Sequence, residues 1–201
     1  MGNIKVEKNL DGIEGLCVIT PELRGDARGY FMETYNQRDM EAAGFDITFV
    51  QHNQSKSVKG VLRGLHYQIE HAQTKLVRVI KGEVFDVAVD LRSGSATFGR
   101  WHGELLSEEN KRQMLVPKGF AHGFVVLSDE AEFCYLCDDF YHPGDEGGIA
   151  WNDPGVGVVW PKLTGEYKGS ASSEGYFVDG TPLTLSERDT KWGGLNSYKK
   201  I

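Results

Sequence analysis

Two ionisable side chains of complementary chemistry stand three residues apart in the run Arg63-Gly64-Leu65-His66-Tyr67-Gln68. A guanidinium binds anions, and an imidazole takes up and releases protons near neutral pH. In a regular strand, residues three apart point to opposite faces. Because an interior glycine often marks a bulge or bend, we expect Gly64 to turn the strand and bring Arg63 and His66 to one cavity. Without that bend, His66 is an ordinary strand residue.

Three further residues with acid–base or cationic side chains lie in or beside other strand-like runs: Lys75, His122 and Tyr135. Each alone has an ordinary explanation, because a lysine at the start of a strand is usually solvated and a strand tyrosine usually packs. A carboxylate, Asp86, shares one face of the run 83–91 with small residues. That face fits either the wall of a polar cavity or a set of exposed edge charges.

The spacing of the histidines and cysteines disfavours a metal site. Barrels that bind iron or zinc often use His-x-His, but here Gln68 stands where the second His would be, and a neutral Gln is a poor ligand for such metals. Cys134 and Cys137 have CxxC spacing within an apolar strand, where the sulfurs point to opposite faces, and no second pair completes a zinc site. With Cys17 the count is odd, which fits a reducing cytoplasm.

The composition narrows the classes of partner. The net charge of -7 argues against nonspecific binding to nucleic acid, which requires a basic surface. No apolar run reaches the length of a membrane span, and the first residues have no apolar leader segment. We therefore expect a cytoplasmic protein without a nucleic-acid or membrane partner. No Pro/Ser-rich linker divides the 201 residues, so we predict one domain, 1–201.

Short β-rich runs separated by turn residues fill most of the chain. We predict strands at 16–20, 45–50, 60–68, 73–80, 83–91, 98–106, 113–116, 121–127, 132–136, 148–151 and 156–160. The runs 73–80 and 83–91, joined by Lys81-Gly82, are expected to form a hairpin. One short helix is predicted after Asn36 and ends at Gly44. Because no long amphipathic helix separates the strands, the pattern favours an all-β sandwich or barrel.

Several polar motifs follow one another in an order that resembles the dTDP-4-dehydrorhamnose 3,5-epimerase family. They are Asp26-x-Arg28-Gly29-x-Phe31-x-Glu33, Gln51-x-Asn53-x-Ser55, Arg63-Gly-Leu-His-Tyr-Gln68, Gln73-x-Lys-Leu-Val-Arg78, Asp86-Val-Ala-Val-Asp90-x-Arg92, Pro117-x-Gly-Phe-Ala-His-Gly-Phe124 and Trp151-Asn-Asp-Pro154. The similarity covers about 17–160 and a Leu-Ser-x-x-Asp motif that ends at Asp189. It implies a metal-free cupin-type jelly roll with its core at about 16–160 and an irregular C-terminal extension, 161–201, near the site.

The resemblance also implies an activity, the inversion of the two carbons that flank the ketone of a nucleoside-diphosphate 4-keto-6-deoxy sugar, without a cofactor. Such an inversion needs a base on one face, an acid on the other and a group that stabilises the enolate oxygen. By resemblance His66 is the base, Tyr135 the acid and Lys75 the stabilising cation, while Asp189 orients His66. Asp86 is a rival partner for His66, and Ser186-x-x-Asp189 also fits a helix-capping box.

The substrate contacts that the resemblance implies lie along the whole chain: Arg28, Glu33, Gln51, Asn53, Arg63, Lys75, His122, Glu146 and Arg188. Arg188 replaces the lysine that is common in the family, which changes donor geometry, and the stretch 167–179 is longer than usual. Both departures lie near the nucleotide end. The family is typically homodimeric through its N-terminal strands, and the segment Leu16 to Thr20 is expected to offer a free edge for that exchange.

Three alternatives remain open at this point. The protein could invert C3 alone, it could act on a GDP- or CDP-linked 4-keto sugar, or it could bind nucleotide sugars without catalysis. Retention of His66, Lys75 and Tyr135 argues against the last of these.

Overall fold

The structure, a computed structural model, describes residues 3–163, 177–178 and 181–198. Short strands dominate these ranges, and the one α-helix described there is α1 (Gln37–Ala42). The strands, in chain order, are β1 (Ile4–Lys8), β2 (Cys17–Pro21), β3 (Arg24–Asp26), β4 (Gly29–Phe31), β5 (Gln51–Val58), β6 (Leu62–Gln68), β7 (Lys75–Lys81), β8 (Glu83–Asp90), β9 (Trp101–Ser107), β10 (Gln113–Val116), β11 (Phe120–Val126), β12 (Glu130–Cys137), β13 (Glu146–Gly148), β14 (Phe177–Val178) and β15 (Thr181–Pro182). Two short 3-10 helices occupy Leu10–Gly12 and Leu195–Ser197.

Two antiparallel sheets face each other and form a sandwich. The six-stranded sheet has the order β1-β2-β10-β7-β12-β5, and the five-stranded sheet has the order β13-β6-β11-β8-β9. Apolar side chains from both sheets meet between them, including Val77 and Phe133 from the first and Val84 and Phe124 from the second. The prediction of an all-β sandwich is confirmed.

The outer face of each sheet is also covered. Against the five-stranded sheet pack Ile149, Trp151 and Trp160, and the Trp160 indole donates a 2.9 Å hydrogen bond to the carbonyl of Trp151. The prediction of a strand at 156–160 is wrong, because this segment packs its side chains on the sheet without pairing with a neighbouring strand. Its alternating apolar residues mark burial rather than strand pairing.

A second predicted strand, 45–50, is also irregular. Phe45, Ile47 and Phe49 alternate as in a strand, but they pack beside helix α1 on the outer face of the six-stranded sheet. Pairing begins only at Gln51, in β5. The predicted helix is confirmed, since the Asn36 side chain accepts a hydrogen bond from the backbone N–H of Arg38 at the start of α1.

The predicted hairpin between 73–80 and 83–91 is wrong in its pairing. β7 lies in the six-stranded sheet between β10 and β12, whereas β8 lies in the five-stranded sheet between β11 and β9. Gly82 joins them at φ +76°, where a Cβ atom would lie 2.1 Å from the carbonyl oxygen of Glu130. A Gly turn therefore carries the chain from one sheet to the other, and strand-like sequence on both sides of it does not reveal the difference.

The strand predicted to offer a free edge, β2, has none in the chain itself. β2 pairs with β1 on one side and with β10 on the other, so the segment Leu16 to Thr20 lies largely within an interior strand. The outer strands of this sheet are β1 and β5. None of the helices in the described ranges has the length and apolar character of a membrane span.

Candidate active site

The bend predicted at Gly64 is present in β6. Gly64 has φ +116°, and a Cβ atom there would lie 2.6 Å from the Cα atom of Gly123 in β11. The pairing of β6 with β11 shifts register at this point, between His122 and Phe124. The bend brings Arg63 and His66 to the same cavity. Only glycine fits such a backbone angle and such a close approach without strain.

That cavity has a volume of about 720 Å³ and is walled by both sheets, within the size range of small-molecule sites. Along β5, alternate residues Gln51, Asn53 and Ser55 line it, as the period of a strand requires. Most of the predicted site residues line the cavity: Gln51, Asn53, Arg63, His66, Lys75, His122, Tyr135, Glu146, Arg188 and Asp189. Sequence reasoning missed the strand in β5, because both of its faces are polar and it contains no apolar run.

His66 is bonded to a carboxylate from the C-terminal part of the chain. Its Nε2 lies 2.5 Å from Oδ1 of Asp189, which is 3% exposed. Burial alone would raise the pKa of Asp189, but the hydrogen bond and charge of His66 lower it below its usual value. Asp189 is therefore ionised at neutral pH, and its negative charge lies directly against the His66 ring. Nδ1 of His66 faces Glu146, 4.0 Å from its Oε1.

Asp189 also has the local contact that a capping box predicts. Its backbone N–H donates to Oγ of Ser186 at 3.2 Å, within a turn rather than an α-helix. The capping contact is therefore made by the backbone N–H of Asp189, and the contact with His66 by its carboxylate, so the two interpretations are compatible. The turn fixes the backbone, and the carboxylate is free to contact His66.

A second imidazole–carboxylate pair lies on the facing strand. His122 is directly opposite His66 across β6 and β11, and its Nε2 lies 2.9 Å and 3.0 Å from the two carboxylate oxygens of Asp86. Asp86 is fully buried, and burial raises its pKa although His122 and Lys75 oppose the shift. Asp86 thus faces the interior and pairs with His122, which leaves Asp189 as the partner of His66.

Lys75 and Tyr135 share one face of the six-stranded sheet. Tyr135 is opposite Val77, two residues along β7 from Lys75. Burial lowers the pKa of Lys75, while nearby Cys137, Glu146 and Asp86 oppose that shift. Burial raises the pKa of Tyr135, so its phenol keeps its proton at neutral pH. The cavity thus contains an ammonium and a phenolic donor on the wall across from the two histidines.

The rim of the cavity carries one ion pair of opposite charges from distant segments. A guanidinium nitrogen of Arg188 contacts Oε2 of Glu146. Because Arg63 also lines the cavity, with its Nε 3.1 Å from Oγ of Ser57, two guanidinium groups supply local positive charge in an acidic chain. The longer stretch predicted at 167–179 lies almost entirely outside the described residues.

Two predicted site residues do not line the cavity of their own chain. Arg28, at the turn between β3 and β4, forms an ion pair with Asp26 and its side chain is 91% exposed. Glu33 accepts hydrogen bonds from the side chains of Asn3 and Asn36. These two residues can reach a ligand only from the outside of the cavity that the chain itself encloses.

Sequence reasoning missed residues at the rim and behind the dyad. Gln68 accepts the N–H of His142 and donates to the carbonyl of His71, so its amide supports the loops at the mouth. The ring of Trp192 packs edge-on to His66, with centroids 6.2 Å apart. Its buried N–H helps to lower the pKa of Asp189, although the contact falls short of full hydrogen-bond geometry. A lone tryptophan in a polar tail gives no sequence signal of this position.

The CxxC pair has the environment of packed thiols. Cys134 and Cys137 are both buried and free. Burial raises the pKa of Cys137 to about 11, so its sulfur is a neutral thiol at physiological pH. Because a thiolate is the reactive and metal-binding form, this environment disfavours redox or zinc chemistry at Cys137.

An antiparallel β-sandwich whose interior cavity combines an imidazole–carboxylate dyad, an ammonium and a phenol defines a cupin-type protein with an acid–base site. Comparison with known proteins identifies the family. A model of the family described as dTDP-4-dehydrorhamnose 3,5-epimerase matches residues 11–197, and the chain belongs to that family.

Similar proteins from several organisms carry the same description. The dTDP-4-dehydrorhamnose 3,5-epimerase of Methanothermobacter thermautotrophicus is 54% identical over 183 residues, which are 91% of each chain. That of Pseudomonas aeruginosa is 60% identical over 150 residues, 74% of this chain and 83% of the relative. A crystal structure of dTDP-6-deoxy-D-glucose-3,5-epimerase from Legionella pneumophila Philadelphia 1, in complex with dTDP-4-keto-L-rhamnose, superposes with a TM-score of 0.83. It is 46% identical and covers 96% of this chain and 94% of that one.

Proposed function

We propose that this protein is a cofactor-independent 3,5-epimerase that converts dTDP-4-dehydro-6-deoxy-D-glucose to dTDP-4-dehydro-L-rhamnose. Family membership supports the reaction class and the nucleotide-sugar substrate. The observation that carries the proposal is the cavity in which the His66–Asp189 dyad shares the interior with Lys75 and Tyr135. These are the groups that removal and return of a proton beside a ketone require.

Each inversion proceeds in two proton transfers. His66 removes the proton from the carbon beside the ketone, and the electron pair of that C–H bond moves into an enolate whose oxygen carries the negative charge. The Lys75 ammonium stabilises this oxyanion. The Tyr135 O–H then gives its proton to the same carbon from the opposite face, which inverts it. Because Asp189 is ionised, it stabilises the imidazolium that forms on His66.

Deuterium exchange tests the reaction directly. In heavy water with dTDP-4-keto-6-deoxyglucose, the enzyme should introduce deuterium at both C3 and C5 of the product, detected by NMR and mass spectrometry. Incorporation at C3 alone would identify a 3-epimerase. Reaction only with GDP- or CDP-linked substrates would overturn the dTDP assignment. Such a preference would be expected at the end of the cavity near Glu146, where this chain has Arg188 in place of the lysine common in the family. Ligand binding without exchange would indicate a binding protein.

We further propose that two protomers form a homodimer and that Arg28 and Glu33 reach the nucleotide end of the partner's cavity. Three observations support this. Arg28 is on an exposed hairpin, its neighbours Tyr30 and Phe31 are 58% and 64% exposed, and no wall of its own cavity includes it. Exposed aromatic side chains of this kind are typical of protein interfaces.

A mixing experiment separates contributions made within one chain from those made across the dimer. Arg28→Ala and His66→Asn variants should each have low activity, and a mixture refolded together should regain activity. In the mixed dimer, one cavity has both an intact His66 and an intact Arg28 from the partner. A monomer in light scattering at micromolar concentration, or a mixture no more active than its components, would contradict the arrangement.

A further inference from the structure

Outside the acid–base cavity, two imidazoles and a carboxylate converge at one point on the surface. One ring nitrogen each from His71 and His142 and a carboxylate oxygen of Asp139 all lie within 4.8 Å of one another. The two rings are stacked with centroids 3.7 Å apart and an interplanar angle of 11°, and Nε2 of His142 lies 3.8 Å from Oδ1 of Asp139. The acid–base mechanism uses none of these three side chains.

The backbone that carries these side chains is anchored by hydrogen bonds to side chains. The Asp145 carboxylate accepts the N–H groups of Glu70 and His71 at 2.8 to 3.2 Å. The N–H of His142 donates to the Gln68 side chain at 3.1 Å, and the Gln73 amide donates to the carbonyl of Asp139 at 2.9 Å. The loops are thus held together before any ligand arrives, which lowers the entropy cost of binding.

The chemistry of the three side chains selects one kind of ligand. Imidazole nitrogens suit Zn²⁺, Ni²⁺, Co²⁺ and Cu²⁺ and are poor ligands for Mg²⁺ or Ca²⁺. Metal–ligand distances near 2.0–2.2 Å require the three atoms to approach one another by only about an ångström. One exposed and two half-buried side chains achieve this by rotation. Two His and one Asp leave a fourth position for water, and the cleft lined by His71 and His142 is open to solvent.

We propose that His71, Asp139 and His142 bind one divalent transition-metal ion at the rim of the cavity. The ion would tie the loop after β6 to the loop after β12. Gln68 and Tyr141, which line the cavity, belong to or adjoin these loops, so the metal would fix the mouth of the site without entering the proton transfers. It is distinct from the dyad of His66 and Asp189, which contains no residue of this cluster.

Cobalt is the probe that tests the proposal. Tag-free protein is treated with a chelator, dialysed and titrated with Co²⁺, with visible absorption as the readout. We expect saturation at one equivalent, with the strong bands of a four- or five-coordinate ion. Co²⁺ in about hundredfold excess over its dissociation constant should raise the melting temperature by roughly 5–10 °C. The proposal would be overturned if the Co²⁺ spectrum did not saturate, or if the titration showed several weak sites instead of one.

Three variants locate the site, and a fourth variant serves as the control. His142→Ala and His71→Ala should each weaken Co²⁺ binding by at least about tenfold, because loss even of groups that only support metal ligands has effects of this size. Asp139→Asn keeps the shape of the side chain and should still weaken binding. His52→Ala removes an exposed imidazole from β5 and should leave binding unchanged. Circular dichroism of each variant confirms folding, and equal affinity in His142→Ala and wild type would contradict the assignment.

Discussion

Two imidazole–carboxylate pairs face each other across neighbouring strands, yet folding shifts the pKa values of their carboxylates in opposite directions. Asp189 comes from the C-terminal segment, pairs with His66 and has a lowered pKa. Asp86 comes from β8 inside the sandwich, pairs with His122 and has a raised pKa. The two carboxyl groups therefore differ in how readily they ionise. Burial outweighs pairing with the imidazole at Asp86, whereas pairing outweighs burial at Asp189.

The difference assigns the pairs to different tasks. A carboxylate that stays ionised stabilises an imidazolium, which is what a base needs while it holds a substrate proton. A carboxylate whose charge is opposed by burial serves better to orient its partner. We therefore expect His66 to transfer protons and His122 to hold the substrate, and the following experiments test this division.

Replacing the two histidines should separate the pairs most strongly. His66→Asn removes the base, so kcat should fall by about 10²–10⁴-fold, the range of general acid–base catalysis, while dTDP binding measured by calorimetry is retained. His122→Asn is the matched control and should act mainly on KM. Equal losses of kcat in both variants would contradict the division.

Lys75 interacts electrostatically with Asp86 of the second pair and should set the alkaline limb of the pH profile. Its ammonium must be charged to stabilise the oxyanion, and burial lowers its pKa, so kcat should fall at a lower pH than an ordinary lysine would cause. Asp86→Asn removes a carboxylate that favours the charged form and should move this limb to still lower pH. Lys75→Met should lose about 10²–10³-fold in kcat and the limb with it. A limb that persists in Lys75→Met would have another origin.

Neutralising the two carboxylates should affect turnover unequally. Asp189→Asn leaves the imidazolium of His66 without its counter-charge, and kcat should fall by about 10²-fold or more. Asp86→Asn keeps a hydrogen-bond acceptor for His122, and kcat should fall by about tenfold or less. Steady-state kinetics at pH 7.5 measure both. A larger loss in Asp86→Asn would reverse the assignment.

The same two variants should change stability with opposite pH dependence. Asp189 has a lowered folded pKa, so its ionised form contributes stability above the unfolded pKa of about 3.9, and this contribution is lost as pH falls through the folded value. The pKa of Asp86 is raised on folding, so its contribution is present at low pH and is lost as pH rises. As pH rises above about 4, the melting temperature of Asp86→Asn should therefore rise relative to wild type until the raised folded pKa of Asp86 is passed. The melting temperature of Asp189→Asn should fall relative to wild type as pH rises to about 4, and the difference should stay constant above that pH.

The smallest effect is expected behind the dyad. Trp192→Phe keeps the ring that packs on His66 and removes the N–H that helps to lower the pKa of Asp189. The acid limb of kcat/KM should then move to higher pH, with a loss of about threefold or less at neutral pH. If no other aromatic residue at position 192 restores the wild-type acid limb, the indole N–H has this role. An unchanged limb in Trp192→Phe would show that the indole only packs.

The alternation of polar and apolar residues predicted the fold class, and Gly64 predicted the bend in β6, because both have local causes. Most of the other residues around the cavity were predicted only through the resemblance to the family. The sequence did not predict which sheet each strand joins. The turn at Gly82 looks like a hairpin in the sequence, and only the strand pairing of the folded chain shows that it crosses the sandwich. Nor could it choose between Asp86 and Asp189, because both carboxylates are far from His66 in sequence and their distances depend on the tertiary fold.

Central to this account is that proton removal and proton return occur on opposite faces of the sugar ring, at His66 and Tyr135. The most direct test follows Tyr135→Phe in heavy water and analyses both recovered substrate and product by NMR. We predict that recovered substrate gains deuterium with its original configuration, because His66 still removes the proton and returns a deuteron to the same face, while inversion slows far more. Equal slowing of exchange and inversion would contradict the account.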